Sequence, residues 1–286
     1  KLEMVRSVGF YAHESNKIFT KSGVYIPNLF LSDLRESGPA PVLGQTIIGN
    51  ISSMHASKGP HQAGYVVLPL LLHRSELRLE FLGSEKLYSH GPTQKERNPH
   101  QVGFERFSKS YGLFDQVTYS GLKTESLGES IDSWRFAIQN PLGIGEADPG
   151  SVKDLWARGV PAFSVGLFGM WDYMRHFPEL RAFFPKTFQR KFSKLLSDHE
   201  YEKSIRERCY AEALRLKERN KEILKFWIEL LENNSDSELR VPNATFGDEN
   251  KNSSRVIIRL VAIILYSPKL GPLLLGALDR AFCRLH

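Results

Sequence analysis

The sequence predicts an α+β protein, with an antiparallel β-rich N-terminal half (a sheet or half-barrel) and a helical C-terminal half packed against it. Three observations predict this. Short runs of β-branched and aromatic residues, bounded by Gly, Pro, Asn and Ser, crowd into the first half. Helical periodicity dominates the second. Strands followed by helices, rather than strands alternating with them, argue against a doubly wound parallel sheet. The boundary is placed at Asp148-Pro149-Gly150, a turn signal, which divides the chain into 1–148 and 149–286.

In chain order, "VRSVGFYA", "SGVYIPNLFL", "QTIIGNI" and "GYVVLPLLL" read as strands. "ELRLEFLG" alternates polar and apolar residues, as a half-buried strand does. "YSHGPTQKERNPHQVG" is a long polar loop, and "DQVTYSGL" and "DSWRFAIQN" are further strands. Beyond the boundary, Pro185 opens a helix, where the missing N–H costs no bond, and Phe188, Phe192 and Leu195 share one face of it. Ser197 and Glu200 then form a capping box for a helix over about 197–232. Its apolar stripe runs through Ile205, Cys209, Ala213, Leu216, Asn220, Ile223, Trp227 and Leu230, a surface on which a partner helix could pair.

The last apolar stretch, "SSRVIIRLVAIILYSPKLGPLLLGALDRAFCRLH", raises the question of a membrane. A span needs about 20 apolar residues. Val256–Tyr266 supplies 11, includes Arg259, and is followed by Ser267-Pro268-Lys269. The stretch therefore reads as a pair of short helices without a transmembrane span.

The composition, 41% apolar and 24% charged, is that of a globular protein. Only two cysteines occur, Cys209 and Cys283, and the opening "KLEMVRSVGF" has no apolar leader. Both features point to a reducing, cytoplasmic setting. Four Asn-x-Ser/Thr sequons, at Asn50, Asn233, Asn243 and Asn252, are short enough to arise by chance. The net charge is +6, and residues 1–150 carry 15 basic and 15 acidic side chains, so the excess lies wholly in the second half.

Histidine runs the other way, with six of nine in the first half. His55 and His61 flank a glycine in "HASKGPH", and His73 ends an apolar run. Imidazoles at one rim of a sheet supply a general base or ligate Zn or Fe. Glu76, Glu80 and Asp115 are the carboxylates that would orient them. No His-x-His, HExxH, CxxC, Gly-x-Ser-x-Gly or GxGxxG is present, so the spacing specifies neither metal nor cofactor.

The basic stretch "RAFFPKTFQRKFSK" interleaves Arg181, Lys186, Arg190, Lys191 and Lys194 with four phenylalanines. Such a helix docks on phosphates, anionic lipid or an acidic partner, unless its Phe face enters the core. The reading that follows is an enzyme acting on a small molecule, with His55, His61 and His73 as catalytic groups. Its alternatives are a nucleic-acid-binding component using the basic half, and a peripheral membrane protein.

Overall fold

The computed structural model describes residues 29–41, 46–52, 60–83, 105–106, 108–121, 127–139, 150–164, 174, 176–181 and 185–232. The chain divides into two units, residues 1–244 and 245–286, and all described residues belong to the first. The C-terminal apolar stretch, the first expected strand and all but residues 29–31 of the second therefore lie outside them, and residues 29–31 form no strand. Among the described residues no helix is long and apolar enough to cross a membrane.

Five strands form one sheet: β1 (Thr46–Ile51), β2 (Leu77–Leu82), β3 (Val117–Gly121), β4 (Phe136–Ile138) and β5 (Ala162–Phe163). Their order is β3-β2-β1-β4-β5 and every pairing is parallel. The helices whose bounds are described are α1 (Pro60–His73), α2 (Leu127–Asp132), α3 (Gly150–Ala157), α4 (Pro185–Ser197), α5 (His199–Glu218) and α6 (Asn220–Glu232). This is a doubly wound, Rossmann-like α/β fold, and it overturns the expected antiparallel β-rich half. The sheet takes its fifth strand from beyond residue 148.

Four of the strand runs were placed where strands form; the error lay in what joins them. "GYVVLPLLL" is the interior of α1, not a strand. Val66, Val67, Leu68, Leu70 and Leu71 are all buried, because α1 is enclosed between the sheet and α4. A helix apolar on every side shows no 3.6-residue signal, and a short apolar run does not distinguish it from a strand. The β2 alternation has its own cause. Leu77, Leu79 and Phe81 enter the main core, while Arg78 and Glu80 point to the opposite face, where they are only half covered.

The main core lies on the face that carries α1 and α4. Phe136 and Phe163 of the sheet meet Phe192 and Phe188 of α4 edge-on, at centroid distances of 5.0 and 4.9 Å. The second face is smaller. Leu82, Ala137 and Ala162 pack there with Ile131 of α2, Leu155 of α3 and Trp134.

The helical stretch starts one residue later than the capping box implied. Asp198 is the N-cap, accepting from the Tyr201 N–H at 2.9 Å, while Ser197 Oγ donates back to Lys194 O at 3.1 Å. α5 and α6 are separated at Arg219, whose carbonyl accepts from both Glu222 and Ile223 N–H groups. The Asn220 side chain is drawn to the Phe30 backbone, accepting from its N–H and donating to its carbonyl, both at 2.7 Å. Ile205, Cys209 and Ala213 face the protein's own core, so this part of the stripe is already partnered.

The amino-terminal edge of the sheet is fastened to α5 by ions. Arg135 pairs with Glu202 at 2.5 Å, with the carboxylate fully buried. Arg206 donates to Ala40 O at 2.8 Å and to Arg135 O at 2.8 Å. These bonds close the end of the molecule opposite the carboxyl ends of the strands.

Candidate functional site

In an open parallel sheet, ligands bind outside the carboxyl ends of the strands, where successive crossovers leave for opposite faces. Here that point lies between β1 and β4. The β1–α1–β2 crossover uses one face, and the β3–α2–β4 crossover uses the other.

The two sides of β1 differ at this end. Toward β2 and β3 the backbone ladder continues, with Ser52 N–H donating to Leu82 O (3.0 Å) and Gly83 N–H to Gly121 O (2.9 Å). Gly83 has φ +149°, and a Cβ there would stand 1.8 Å from Ser52 O, so only glycine lets these strands close up. Toward β4 the backbone register is Ile48 with Phe136 and Gly49 with Ala137. Beyond that rung, side-chain amides take over. Asn50 Nδ2 donates to Ile138 O at 2.7 Å, and Ser52 Oγ donates to Asn50 Oδ1 at 3.0 Å. With the Gln139 amide assigned the orientation its neighbours require, its nitrogen facing a carbonyl and its oxygen an N–H, it pairs with the Ile51 backbone, Nε2 donating to the carbonyl (2.9 Å) and Oε1 accepting from the N–H (2.7 Å). Asn50 is 0% exposed and Gln139 2%. Among the described residues, the strand ends Ile51, Ser52, Leu82, Gly83, Gly121, Ile138, Gln139, Phe163 and Ser164 carry no charge.

His61 and His73 lie at opposite ends of one helix. His55 lies outside the described residues, in sequence between β1 and α1. His61 is in the first turn of α1, near this edge, whereas His73 is exposed in its last turn. At 1.5 Å per residue the helix separates those two backbone positions by roughly 18 Å. Among the described residues no group of three or more His, Cys, Asp or Glu side chains has a metal-binding arrangement. Of the proposed orienting carboxylates, Glu76 is exposed at the start of β2. Glu80 accepts from Trp134 Nε1 at 2.7 Å and from Ser120 Oγ. Asp115 is exposed in the single helical turn Phe114–Gln116 before β3, at the opposite edge of the sheet.

The basic residues differ in their surroundings. Lys191 donates to Pro178 O and Arg181 O, both at 2.5 Å, and burial together with Arg181 and Arg190 holds its pKa below the ordinary lysine value. Lys194 sits 4.4 Å from the Tyr201 ring centroid. Burial lowers the pKa of Arg181, which forms a bridge to Ser164. Lys186 and Arg190 are exposed. The Phe face of α4 is spent on the sheet, with Phe188 and Phe192 fully buried. Cys209 is buried in the core, which pushes its thiol pKa well up and leaves it unreactive.

Sequence reasoning missed Asn50 and Gln139. A signal was present: each is a lone amide at or next to the end of an apolar strand run, in "TIIGNI" and "FAIQ".

With this geometry the fold resembles solved glycosyltransferases. TarM superposes with a TM-score of 0.53 at 12% identity, over 73% of this chain and 39% of that one. Anabaena HepE, solved with UDP and glucose, gives 0.52 at 12% identity, over 72% and 57%. A Rickettsia africae glycosyltransferase gives 0.52 at 15% identity, over 67% and 49%. The likeness is one of fold. This chain spans about two-fifths to three-fifths of the length of these structures. No protein-family model matches the sequence, and no curated protein matches it.

Proposed function

We propose that the chain is the nucleotide-binding part of a glycosyltransferase that uses a nucleoside-diphosphate sugar. The observation that carries this reading is the parallel β3-β2-β1-β4-β5 sheet and its likeness to structures such as HepE with UDP and glucose and the pneumococcal O-GlcNAc transferase GtfA with UDP and GlcNAc. Fold alone does not assign chemistry. The lack of GxGxxG after β1 argues against the dinucleotide-binding version of the same topology.

On this reading the nucleotide lies across the β1–β4 switch point. Its diphosphate sits toward the amino terminus of α1, where backbone N–H groups and the helix dipole favour an anion. Lys58 and Gly59 immediately precede that helix in sequence, and the lysine adds a positive charge for the phosphates. His55 and His61 belong to the same connection and are kept as acid–base candidates. His73, one helix length away, is not kept for that role.

The test is calorimetric titration of the full chain with UDP, UDP-glucose, UDP-GlcNAc and NAD. Saturable binding of a uridine diphosphate species, weakened at least tenfold in Lys58→Ala and steeply by salt, supports the reading. Preferential binding of NAD, or no binding of any nucleoside diphosphate at millimolar concentration, overturns it.

A further inference from the structure

We infer that Asn50 and Gln139 form an amide clasp that sets how far β1 and β4 part at the switch point. They are thus positioning residues for whatever binds there. Arg135 N–H donates to Ile47 O at 3.0 Å, so the odd-numbered residues of β1 turn their backbone groups toward β4. The next rungs fall at Gly49 and Ile51. At Ile51 the partner is not β4 backbone but the Gln139 side chain, which fills both positions of a rung with one planar amide. Gln139 backbone N–H is meanwhile committed to Phe163 O at 2.8 Å, so the residue holds β5 with its main chain and β1 with its side chain. Asn50 performs the reciprocal task from β1, reaching Ile138 O while Ser52 Oγ holds its oxygen.

A side-chain amide is longer than a backbone rung. Using one lets the strands separate without leaving a buried N–H or carbonyl unpaired, which neither strand tolerates in a parallel sheet. The clasp also leaves the floor neutral and saturated. Ile51 N–H, Ile51 O and Ile138 O are taken by protein, so none is offered to a phosphate. A ligand seated on this floor presents an uncharged portion to it. If the glycosyltransferase reading holds, on which this part of the inference rests, that portion is the nucleoside or the sugar, and the diphosphate is held elsewhere.

The experiment compares full-length wild type with Gln139→Leu and Gln139→Glu by amide hydrogen exchange, melting temperature and UDP affinity. Leucine removes both bonds to Ile51, whereas glutamate keeps the acceptor for the Ile51 N–H. The expected result is at least tenfold faster exchange at Ile51 in the leucine variant, with Ile48 unchanged. UDP Kd then rises about tenfold, with intermediate values for glutamate. Unchanged exchange at Ile51 overturns the clasp. Faster exchange with an unaltered UDP Kd overturns the positioning role and leaves a structural bond. If wild type binds no UDP, the glycosyltransferase reading falls, while the exchange comparison still decides the clasp. Should the leucine variant fail to fold, Gln139→Ala, which also removes both bonds, decides it by faster exchange at Ile51 than in wild type.

Discussion

Gly49 and Trp134 show how tightly single residues determine this fold. The indole lies directly on the β1 backbone, and a Cβ at Gly49 would stand 1.9 Å from the Trp134 ring. Its Nε1 is held by Glu80 at 2.7 Å, so the ring is fixed on both sides. Gly49→Ala is expected to lower stability by about 3 kcal/mol, the upper range for overpacking a closed core, as measured by urea denaturation. Asp154 makes a different residue-scale prediction. Burial raises its pKa, against the hydrogen bond it accepts from Ser32 Oγ at 2.6 Å. A carboxyl raised above its unfolded value binds protons more tightly when folded, so its ionisation destabilises the fold at neutral pH. That cost is relieved as pH falls through the folded pKa toward the ordinary aspartate range. Asp154→Asn, which retains an oxygen for Ser32, is expected to melt higher than wild type at pH 7. The difference should shrink steadily as the pH is lowered, and an advantage independent of pH would refute the assignment.

At the scale of elements, α4 and α5 separate charge from packing. Phe192 contributes to the interface with β4 and β5, and Phe192→Ala is expected to cost about 3–5 kcal/mol in denaturant unfolding. Lys186→Ala and Arg190→Ala, exposed on the same helix, are expected to stay within about 0.5 kcal/mol of wild type. The start of α5 offers a paired test. Asp198→Ala removes the cap on the Tyr201 N–H and should cost about 1 kcal/mol, whereas Ser197→Ala should be silent. Glu202→Ala leaves Arg135 in a mostly buried place without its partner, a loss of about 3–5 kcal/mol. Of these elements, α4 and the start of the long helical stretch were legible from periodicity and proline placement. The cap shifted by one residue because Ser197 and Asp198 are both good N-caps, and only the backbone path chooses between them.

For the molecule as a whole, the two edges of the sheet have different chemistry. The amino-terminal edge is locked by Arg135, Glu202 and Arg206, while the carboxyl edge ends in amides, hydroxyls and glycines among the described residues. This asymmetry suits a fold that is stabilised at one end and binds at the other. On the proposed glycosyltransferase reading, saturating UDP is expected to raise the melting temperature, by the linkage of binding to folding; at one hundred times Kd the gain is about 2.7 kcal/mol. The sequence by itself determined where four strands lie, which face of α4 is apolar, and that the net positive charge comes from the second half. Those are local properties, written in residue type and spacing. Only the tertiary structure decided that the strands run parallel, that "GYVVLPLLL" is an enclosed helix, and that His61 and His73 stand at opposite ends of it. The connections of 25 and 34 residues after β1 and β2 are long enough for parallel crossovers, but length permits a crossover without requiring one. Strand direction, and with it the place where β1 and β4 part, is set by which faces bury the helices, and no local window of sequence contains that.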